Sequence, residues 1–213
     1  MFDSVSTPNQ IKLSDLEFTP TRNDNIQIFD ENGDVVKMIT YRRRGKAGSY
    51  EYYWQLDDLT DPDNPVSEEI TDFVFTRGNS FWLAFNNAID FTQSGAVNTN
   101  AVVYTIPGGQ AFVQAGNPRP VALKLSEIQF SNLARNDNIQ IFDANGDVVK
   151  MYTYRRRGKS GSYEYYWQLD DLTDPDNPVS EEVDPANVQF PAGQAFWFAL
   201  NDAGTVTIPG ITL

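Results

Sequence analysis

The stretch RNDNIQIFDENGDVVKMITYRRRGKAGSYEYYWQLDDLTDPDNPVSEEI, residues 22–70, occurs a second time as residues 135–183. The two copies keep a constant offset of 113 residues and differ at four positions. Modules that shared only a fold would retain their buried positions and let the surface diverge, but here turns, Arg triplets and acidic segments are copied too. Either the duplication is recent, or both copies must present the same surface. The four differences are Glu31/Ala144, Ile39/Tyr152, Ala47/Ser160 and Ile70/Val183.

The repeat begins with the pattern of a β-hairpin. Asn32-Gly33 lies between β-branched runs, and both residues tolerate the positive φ angles of a tight hairpin turn. The predicted arms are residues 25–30 and 34–43. The start of a calcium loop is the alternative interpretation of Asp30 to Asp34, but Val35 stands where that loop needs Gly and Tyr41 where it needs Glu. The turn chemistry therefore favours the hairpin.

The next segment of the repeat alternates between apolar and polar residues. Tyr50, Tyr52, Trp54 and Leu56 are predicted to face a core, and Tyr53 to face solvent or a partner, because side chains alternate across a strand. Residues 57–69 carry two prolines and six carboxylates, which predicts an exposed acidic loop. Calcium binding by this loop stays an alternative, although its carboxylates lack an ordered ligand spacing.

Size and composition predict two all-β modules. The chain has 213 residues, 40% of them hydrophobic and 13% aromatic. This is enough for two modules of about 100 residues, each with one hydrophobic core. We place the modules at residues 1–108 and 109–213 and expect antiparallel, β-sandwich-like folds. Residues 102–125 are too apolar for a flexible linker. They are expected to form strands that close the first module and open the second.

Charge and residue usage exclude several classes of function. The net charge of −13 opposes binding to nucleic acid, and the absence of a long apolar run argues against membrane insertion. No Cys and no His are present, so zinc sites and Ser/His or Cys/His nucleophile pairs are excluded. No cofactor is expected. A catalytic carboxylate pair is disfavoured because no Asp or Glu stands alone in an apolar setting.

Several motifs of the second half resemble a known type of module. GNPRP (116–120), NIQIFD (138–143), PAGQAFWF (191–198) and TVTIPG (205–210) are similar to repeat modules of large secreted or cell-surface bacterial proteins. The first half resembles them more loosely, with STPNQ and TRGNSFWL at the equivalent places. The resemblance implies an extracellular all-β module at the bacterial cell surface, used for structure or adhesion. The first residues, MFDSVSTPNQ, lack a signal-peptide pattern, which fits either a cytosolic protein or a mature form.

Two groups of residues are candidates for contact between subunits. The basic triplets complement the acidic segment of a neighbouring copy, and this interpretation is favoured over a bound anion. Alternation around Trp82 and Trp197 predicts that the core-facing residues are Phe81, Leu83 and Phe85 in the first half and Phe196, Phe198 and Leu200 in the second. The aromatic candidates lie opposite these predicted cores, where they are expected to contact an adjoining module or, alternatively, to stack on glycan. The members are Arg42, Arg43, Arg44, Arg155, Arg156, Arg157, Tyr53, Trp82, Tyr166 and Trp197.

The chain end, continued into the chain start of a second molecule, resembles the junction between the modules. Residues 105–108 are TIPG, followed by Phe112 and Pro118; residues 207–210 are TIPG, and Phe2 and Pro8 follow in the next molecule. Terminal β-segments that complete a neighbour's sheet would build an open filament. The further candidates for this contact are Ile208, Ile211 and Leu213.

These patterns predict a non-enzymatic structural building block. It is expected to self-assemble head-to-tail, as a homopolymer, into a fibre or surface layer at the bacterial cell exterior. The alternative is a glycan-binding adhesin module that uses exposed aromatic residues.

Overall fold

A computed structural model describes residues 2–6, 11–30, 32–76, 80–87 and 99–211, with only the backbone described at residues 2–6 and 11. Within these ranges the regular elements are β-strands and two single-turn 3₁₀ helices, at Leu13–Asp15 and Leu125–Glu127. The prediction of an all-β, sandwich-like fold is confirmed. The described ranges contain no helix that is long and apolar enough to cross a membrane.

The strands follow the chain in two series. The first series is β1 (Phe2–Ser6), β2 (Ile11–Lys12), β3 (Asn25–Phe29), β4 (Val35–Arg44), β5 (Glu51–Asp58), β6 (Val66–Ile70), β7 (Val74–Phe75) and β8 (Ser80–Ala84). The second series is β9 (Val102–Ile106), β10 (Phe112–Gly116), β11 (Leu123–Lys124), β12 (Gln129–Phe130), β13 (Asn138–Phe142), β14 (Val148–Arg157), β15 (Glu164–Asp171), β16 (Val179–Val183), β17 (Gln189–Phe190), β18 (Ala195–Ala199) and β19 (Gly204–Ile208).

Each half of the chain forms one six-stranded antiparallel sheet. The strand orders are β1-β8-β3-β4-β5-β6 and β10-β18-β13-β14-β15-β16, so equivalent strands occupy equivalent places. Smaller sheets lie beside them, with the orders β2-β7, β11-β17 and β12-β19-β9. The repeat therefore supplies four consecutive strands of each large sheet, from the hairpin at its start to the acidic strand at its end.

The predicted hairpin forms in both copies. Gly33 has φ +86°, and its N–H donates to the Asp30 carbonyl at 3.2 Å. The Asp30 carboxylate accepts the N–H groups of Asn32 at 2.8 Å and Asp34 at 3.0 Å. These turn hydrogen bonds account for the acidic residues that resemble a calcium loop.

Two hydrophobic cores form, one for each large sheet. In β8 and β18 alternate residues enter the cores, as the sequence pattern predicts. Full burial of such a side chain contributes about 1.5 to 3 kcal/mol. The first core contains Leu13, Leu16, Ile26, Ile39, Leu56, Phe75, Phe81, Leu83 and Phe85, and the second is centred on Ile139, Tyr152, Trp167, Phe190, Phe196, Phe198, Val206 and Ile208.

Two details of the strand prediction are wrong. Tyr50 and Tyr52, predicted to face the core, are 42% and 47% exposed. Their end of the β4–β5 ribbon extends beyond the core, whose edge is reached at Trp54. The predicted acidic loop is also too long at both ends, because Asp57 and Asp58 belong to β5 and residues 66–70 form the edge strand β6. Charged residues on an edge strand are common because they oppose unwanted strand pairing.

The segment between the halves pairs with the second half. β9 pairs with β19, and Tyr104 and Ile106 enter the second core. β10 and β11 pair with β18 and β17. The expectation that β9 closes the first module is therefore wrong. The predicted boundary after residue 108 lies between β9 and β10, two strands that both pair within the second half.

Candidate assembly surfaces

The two large sheets meet through the faces that point away from their cores. β1 contacts β18, and β10 contacts β8. Trp82 and Trp197 occupy the middle of this contact and are 8% and 5% exposed. Their neighbours along the strand, such as Phe81 and Phe196, enter the cores. The two tryptophans therefore lie opposite the cores, and each is buried by contacts that include the other half of the same chain.

Two phenylalanines from the repeat link these tryptophans. The Phe29 ring centroid lies 5.6 Å from both Trp82 and Trp197. The Phe142 centroid lies 6.0 Å from Trp82 and 5.5 Å from Trp197. Tilted and edge-on pairs at such distances contribute about 0.5 to 1.5 kcal/mol each beyond the burial of area. We call Phe29, Trp82, Phe142 and Trp197 the aromatic cluster.

The hairpin turns of the repeat pack on the aromatic cluster in a reciprocal way. A Cβ atom at Gly33 would lie 3.6 Å from the Trp197 ring, and one at Gly146 would lie 3.2 Å from the Trp82 ring. Each half thus contacts the other with the same patch, as in an isologous interface. Because this patch is used within the chain, the same contact cannot be repeated between molecules.

A cavity of about 530 Å³ remains between the sheets beside the aromatic cluster. Its wall is mainly apolar, with the amide side chains of Gln27 and Gln140 among the polar groups. Trp82 and Trp197 contribute to this wall, although they are only 8% and 5% exposed. The lining residues are Gln27, Phe29, Asn32, Gly33, Trp82, Phe112, Gln140, Phe142, Gly146, Val148 and Trp197.

The basic triplets lie at the far end of β4 and β14 from the aromatic cluster. The Arg44 guanidinium donates to Glu51 at 2.9 Å and to Glu69. Hydrogen bonds from Arg44 hold the pKa of Glu51 below its usual range. Arg42 donates weakly to Asn23 at 3.5 Å. Part of the predicted complementarity between basic and acidic segments is therefore satisfied within one sheet.

The same arrangement is repeated in the second half. Arg157 donates to Glu164 and Glu182, and Arg155 donates to Asn136 at 3.1 Å. The pKa of Glu164 is lowered, as that of Glu51 is, by the hydrogen bonds of its arginine. Identical surface residues thus form identical surface contacts in both copies.

Exposed tyrosines accompany the arginines at these ends. The Tyr41 and Tyr52 rings stack at 5.5 Å with an interplanar angle of 13°, and the Arg43 guanidinium lies 3.9 Å from the centre of the Tyr50 ring. The second copy has the same stack, between Tyr154 and Tyr165, and places Arg156 3.8 Å from the Tyr163 ring centre. Such cation–π contacts contribute about 0.5 to 1 kcal/mol at exposed sites.

The predicted contact residues Tyr53 and Tyr166 are half-buried. The Arg44 guanidinium lies 4.9 Å from the Tyr53 ring centre, and Arg157 lies at the same distance from Tyr166. The side chains exposed beside the triplets are therefore Tyr50 and Tyr52, which the alternation had predicted to be buried. The basic ends of the two sheets are defined by Arg42, Arg43, Lys46, Tyr50 and Tyr52 and by Arg155, Arg156, Lys159, Tyr163 and Tyr165, and we call them the basic tips. Their lysines and tyrosines are exposed, and their arginines are half-buried.

The opposite end of each sheet is acidic. The turn between β5 and β6 places Asp61 and Asp63 in solvent. Asp58, at the end of β5, accepts hydrogen bonds from the Thr60 hydroxyl and amide and from Lys37, which lower its pKa to about 2. Among the described residues no three acidic side chains are grouped closely enough to hold a metal ion.

The chain ends contribute to sheets of their own chain. Phe2 lies opposite Ala84 in the β1–β8 ladder, as Phe112 lies opposite Ala199 in the β10–β18 ladder. This register matches the similarity that the sequence shows between these two segments. Ile208 is fully buried in the second core. Pro8 and Leu213 lie outside the described residues.

The last strand has neighbours on both sides. β19 is the central strand of the sheet β12-β19-β9, and beyond it the Ile211 N–H donates to the Thr99 carbonyl at 3.2 Å. A Cβ atom at Gly210 would collide with the Thr99 backbone. The main-chain groups of this segment are therefore already engaged within the chain.

One buried residue of each repeat was missed by the sequence analysis. Asp137 is 0% exposed, and its carboxylate accepts hydrogen bonds from the Asn201 N–H and side-chain amide and from the Ala134 N–H. Asp24 makes the equivalent bonds to Asn86 and Thr21. These aspartates tie the start of each repeat to the end of β18 or β8. Both aspartates lie between asparagines in the polar segment RNDN, which resembles an exposed turn, so no local signal distinguishes them.

Comparison of the chain with protein-family models, with curated proteins and with solved structures found no match.

Proposed function

We propose that the protein is a non-enzymatic structural building block of the bacterial cell exterior, which assembles head-to-tail into a fibre or surface layer. The exterior location rests on the resemblance of the second half to bacterial surface modules. The proposal concerns how copies of the chain join, because exposed aromatic and charged side chains recur at the ends of both large sheets.

The observation that carries this proposal is the duplication of the basic tips. Each half presents the same exposed tyrosines, with half-buried arginines beside them in the same geometry, and tyrosine is enriched in protein interfaces. The aromatic cluster, by contrast, is closed by the chain itself. A molecule with two equivalent open contact surfaces can bind two neighbours, which is the minimum that a continuous polymer requires.

The proposal includes contact between molecules through the first β-segment of the chain. β1 is the outermost strand of its sheet, and an outermost strand is the usual place for strand addition. The end of the chain is less suited to this role, since β19 already pairs along both of its edges.

The test is the size of the purified protein as a function of concentration. Multi-angle light scattering should show a mass that grows with concentration beyond the 24.0 kDa of one chain. Electron microscopy of the same samples should show linear or layered assemblies. A protein that stays at 24.0 kDa up to millimolar concentration would contradict the proposal.

Glycan binding is the second candidate function, and one observation favours it. The stacked pairs Tyr41–Tyr52 and Tyr154–Tyr165 each include one exposed tyrosine ring beside arginine side chains. A glycan array, followed by titration of tyrosine and tryptophan fluorescence, would test this function. Binding that disappears in a Tyr52→Ala, Tyr165→Ala variant would support it, and the absence of binding to any array member would contradict it.

A further inference from the structure

We propose that each basic tip docks on the acidic turn between β5 and β6, or between β15 and β16, of a second copy of this chain. This inference rests on the proposed function, since it identifies the two surfaces through which copies join. The acidic turns are defined by residues 59–65 and 172–178.

The topology separates these two surfaces. β4 and β5 are joined at one end of the sheet by residues 45–50, and β5 and β6 are joined at the other end by residues 59–65. β5 has eight residues, so about 26 Å separates the ends at a rise of about 3.3 Å per residue. A basic tip therefore cannot reach the acidic turn of its own sheet.

The basic tip has charges that its own half does not neutralise. Arg44 is paired with two glutamates. Arg43 and Lys46, however, have no ion pair within the described residues. Lys46 is exposed, and Arg43 lies against an exposed tyrosine ring. The same holds for Arg156 and Lys159. In a chain of net charge −13, these are isolated positive surfaces.

The acidic turn has the opposite composition. Asp61 is used by the turn itself, where it accepts the Asp63 N–H and the Asn64 side-chain amide. The Asp63 carboxylate is exposed and accepts no hydrogen bond from the described residues. The β3–β4 turn lies at this end of the sheet too and adds Asp34, which is also exposed. Lys37 opposes this charge, but it is paired with Asp58 at 3.1 Å.

Charge complementarity makes a second copy the occupant that fits. The acidic turn presents exposed carboxylates near two prolines, a surface that arginine and tyrosine side chains can cover. Nucleic acid is opposed by the overall negative charge. The contact joins two different surfaces, so it is heterologous and leaves a free tip and a free turn after each addition. With two tips and two turns per chain, growth can be linear or layered.

The experiment exchanges one charge on each surface. The tip variant carries Lys46→Glu and Lys159→Glu, and the turn variant carries Asp63→Lys and Asp176→Lys. All four side chains are exposed, so the fold should be retained, which circular dichroism and thermal unfolding would verify. The combined variant contains all four substitutions and keeps the wild-type net charge of −13. It is therefore the matched control for changes in overall charge.

The expected results separate surface complementarity from overall repulsion. Light scattering should show assembly of the tip variant and of the turn variant reduced at least tenfold in mean mass. The combined variant should assemble as the wild type does, and an equimolar mixture of the tip and turn variants should co-assemble. Assembly should also weaken between 50 mM and 500 mM salt, because salt screens charges across exposed contacts.

Three outcomes overturn the inference. If the wild type assembles and both the tip variant and the turn variant show the wild-type mass distribution, the tips and turns are not the contact, although the proposed function stands. If the combined variant and the mixture both stay monomeric while the wild type assembles, complementarity is contradicted. A wild type that remains monomeric overturns both the inference and the proposed function.

Discussion

The aromatic cluster and the basic tips are both rich in aromatic residues, but they differ in what covers them. Trp82 and Trp197 are almost fully buried, because each half of the chain covers the other. Tyr52 and Tyr165 remain about half exposed at the distant ends of the sheets. The number of aromatic residues therefore does not identify a contact surface between molecules. The aromatic cluster is excluded as a contact between molecules, because the chain itself covers it. The basic tips remain candidates for such a contact, because the chain leaves them exposed.

The largest effect is expected where the aromatic cluster is truncated. Trp197→Ala should lower the free energy of unfolding by about 3 to 5 kcal/mol, as truncation of a buried aromatic side chain does. Tyr165→Ala, at an exposed tip, should lower it by less than about 1 kcal/mol. Urea unfolding monitored by circular dichroism measures both values. Equal losses of stability in the two variants would contradict the distinction between the buried aromatic cluster and the exposed basic tips.

Removing the buried aspartate of the second repeat is expected to lower the free energy of unfolding by a smaller but still large amount. Asp137→Ala should lower the free energy of unfolding by about 2 to 3 kcal/mol, because the Asn201 and Ala134 amides would lose a buried hydrogen-bond acceptor. Asp24→Ala should behave similarly in the first half, since its hydrogen bonds are equivalent. The same unfolding experiment measures the loss. An Asp137→Ala variant as stable as the wild type would show that these amides find other acceptors.

Two glycines with the same backbone angle allow a finer test of the closed interface. Gly146 and Gly161 both have φ +91°, but a Cβ atom would lie 3.2 Å from the Trp82 ring at Gly146 and would meet nothing within 4 Å at Gly161. Gly161→Ala should cost about 1 kcal/mol from backbone strain alone. Gly146→Ala should cost about 1 kcal/mol more, because the interface must also move. Equal costs for both variants would contradict tight packing of the turn on Trp82.

The smallest effect is expected from the surface carboxylates as pH falls. The folded-state pKa of Asp58 is about 2, below its ordinary value of 3.8, so ionised Asp58 stabilises the fold fully above about pH 4. This stabilisation is lost as pH falls from about 4 to about 2. Unfolding at pH 7, 4, 3 and 2 should show the decline, and Asp58→Asn should make it shallower. A free energy of unfolding that rises as pH falls from about 4 to about 2 would contradict a stabilising role for ionised Asp58.

The local pattern of the repeat was sufficient for much of the fold. Asn32-Gly33 predicted the hairpin because its turn needs a residue that accepts positive φ, which Gly33 supplies. Strict alternation in β8 and β18 predicted the faces that form the cores. Alternation failed at Tyr50 and Tyr52, since a strand pattern shows which residues share a face but not how far the core extends beneath them.

The sequence by itself determined the all-β class, the hairpins, the duplication and the positions of the basic and acidic segments. These features depend on local backbone preferences and on residue types, which can be recognised without knowing neighbours distant in the chain. The tertiary structure alone decided that β9 joins the second half and that Asp24 and Asp137 are buried. It also decided that Trp82 and Trp197 are each buried against the other half of the chain. Those features depend on contacts between residues far apart in sequence, where packing determines which of several compatible surfaces remains exposed.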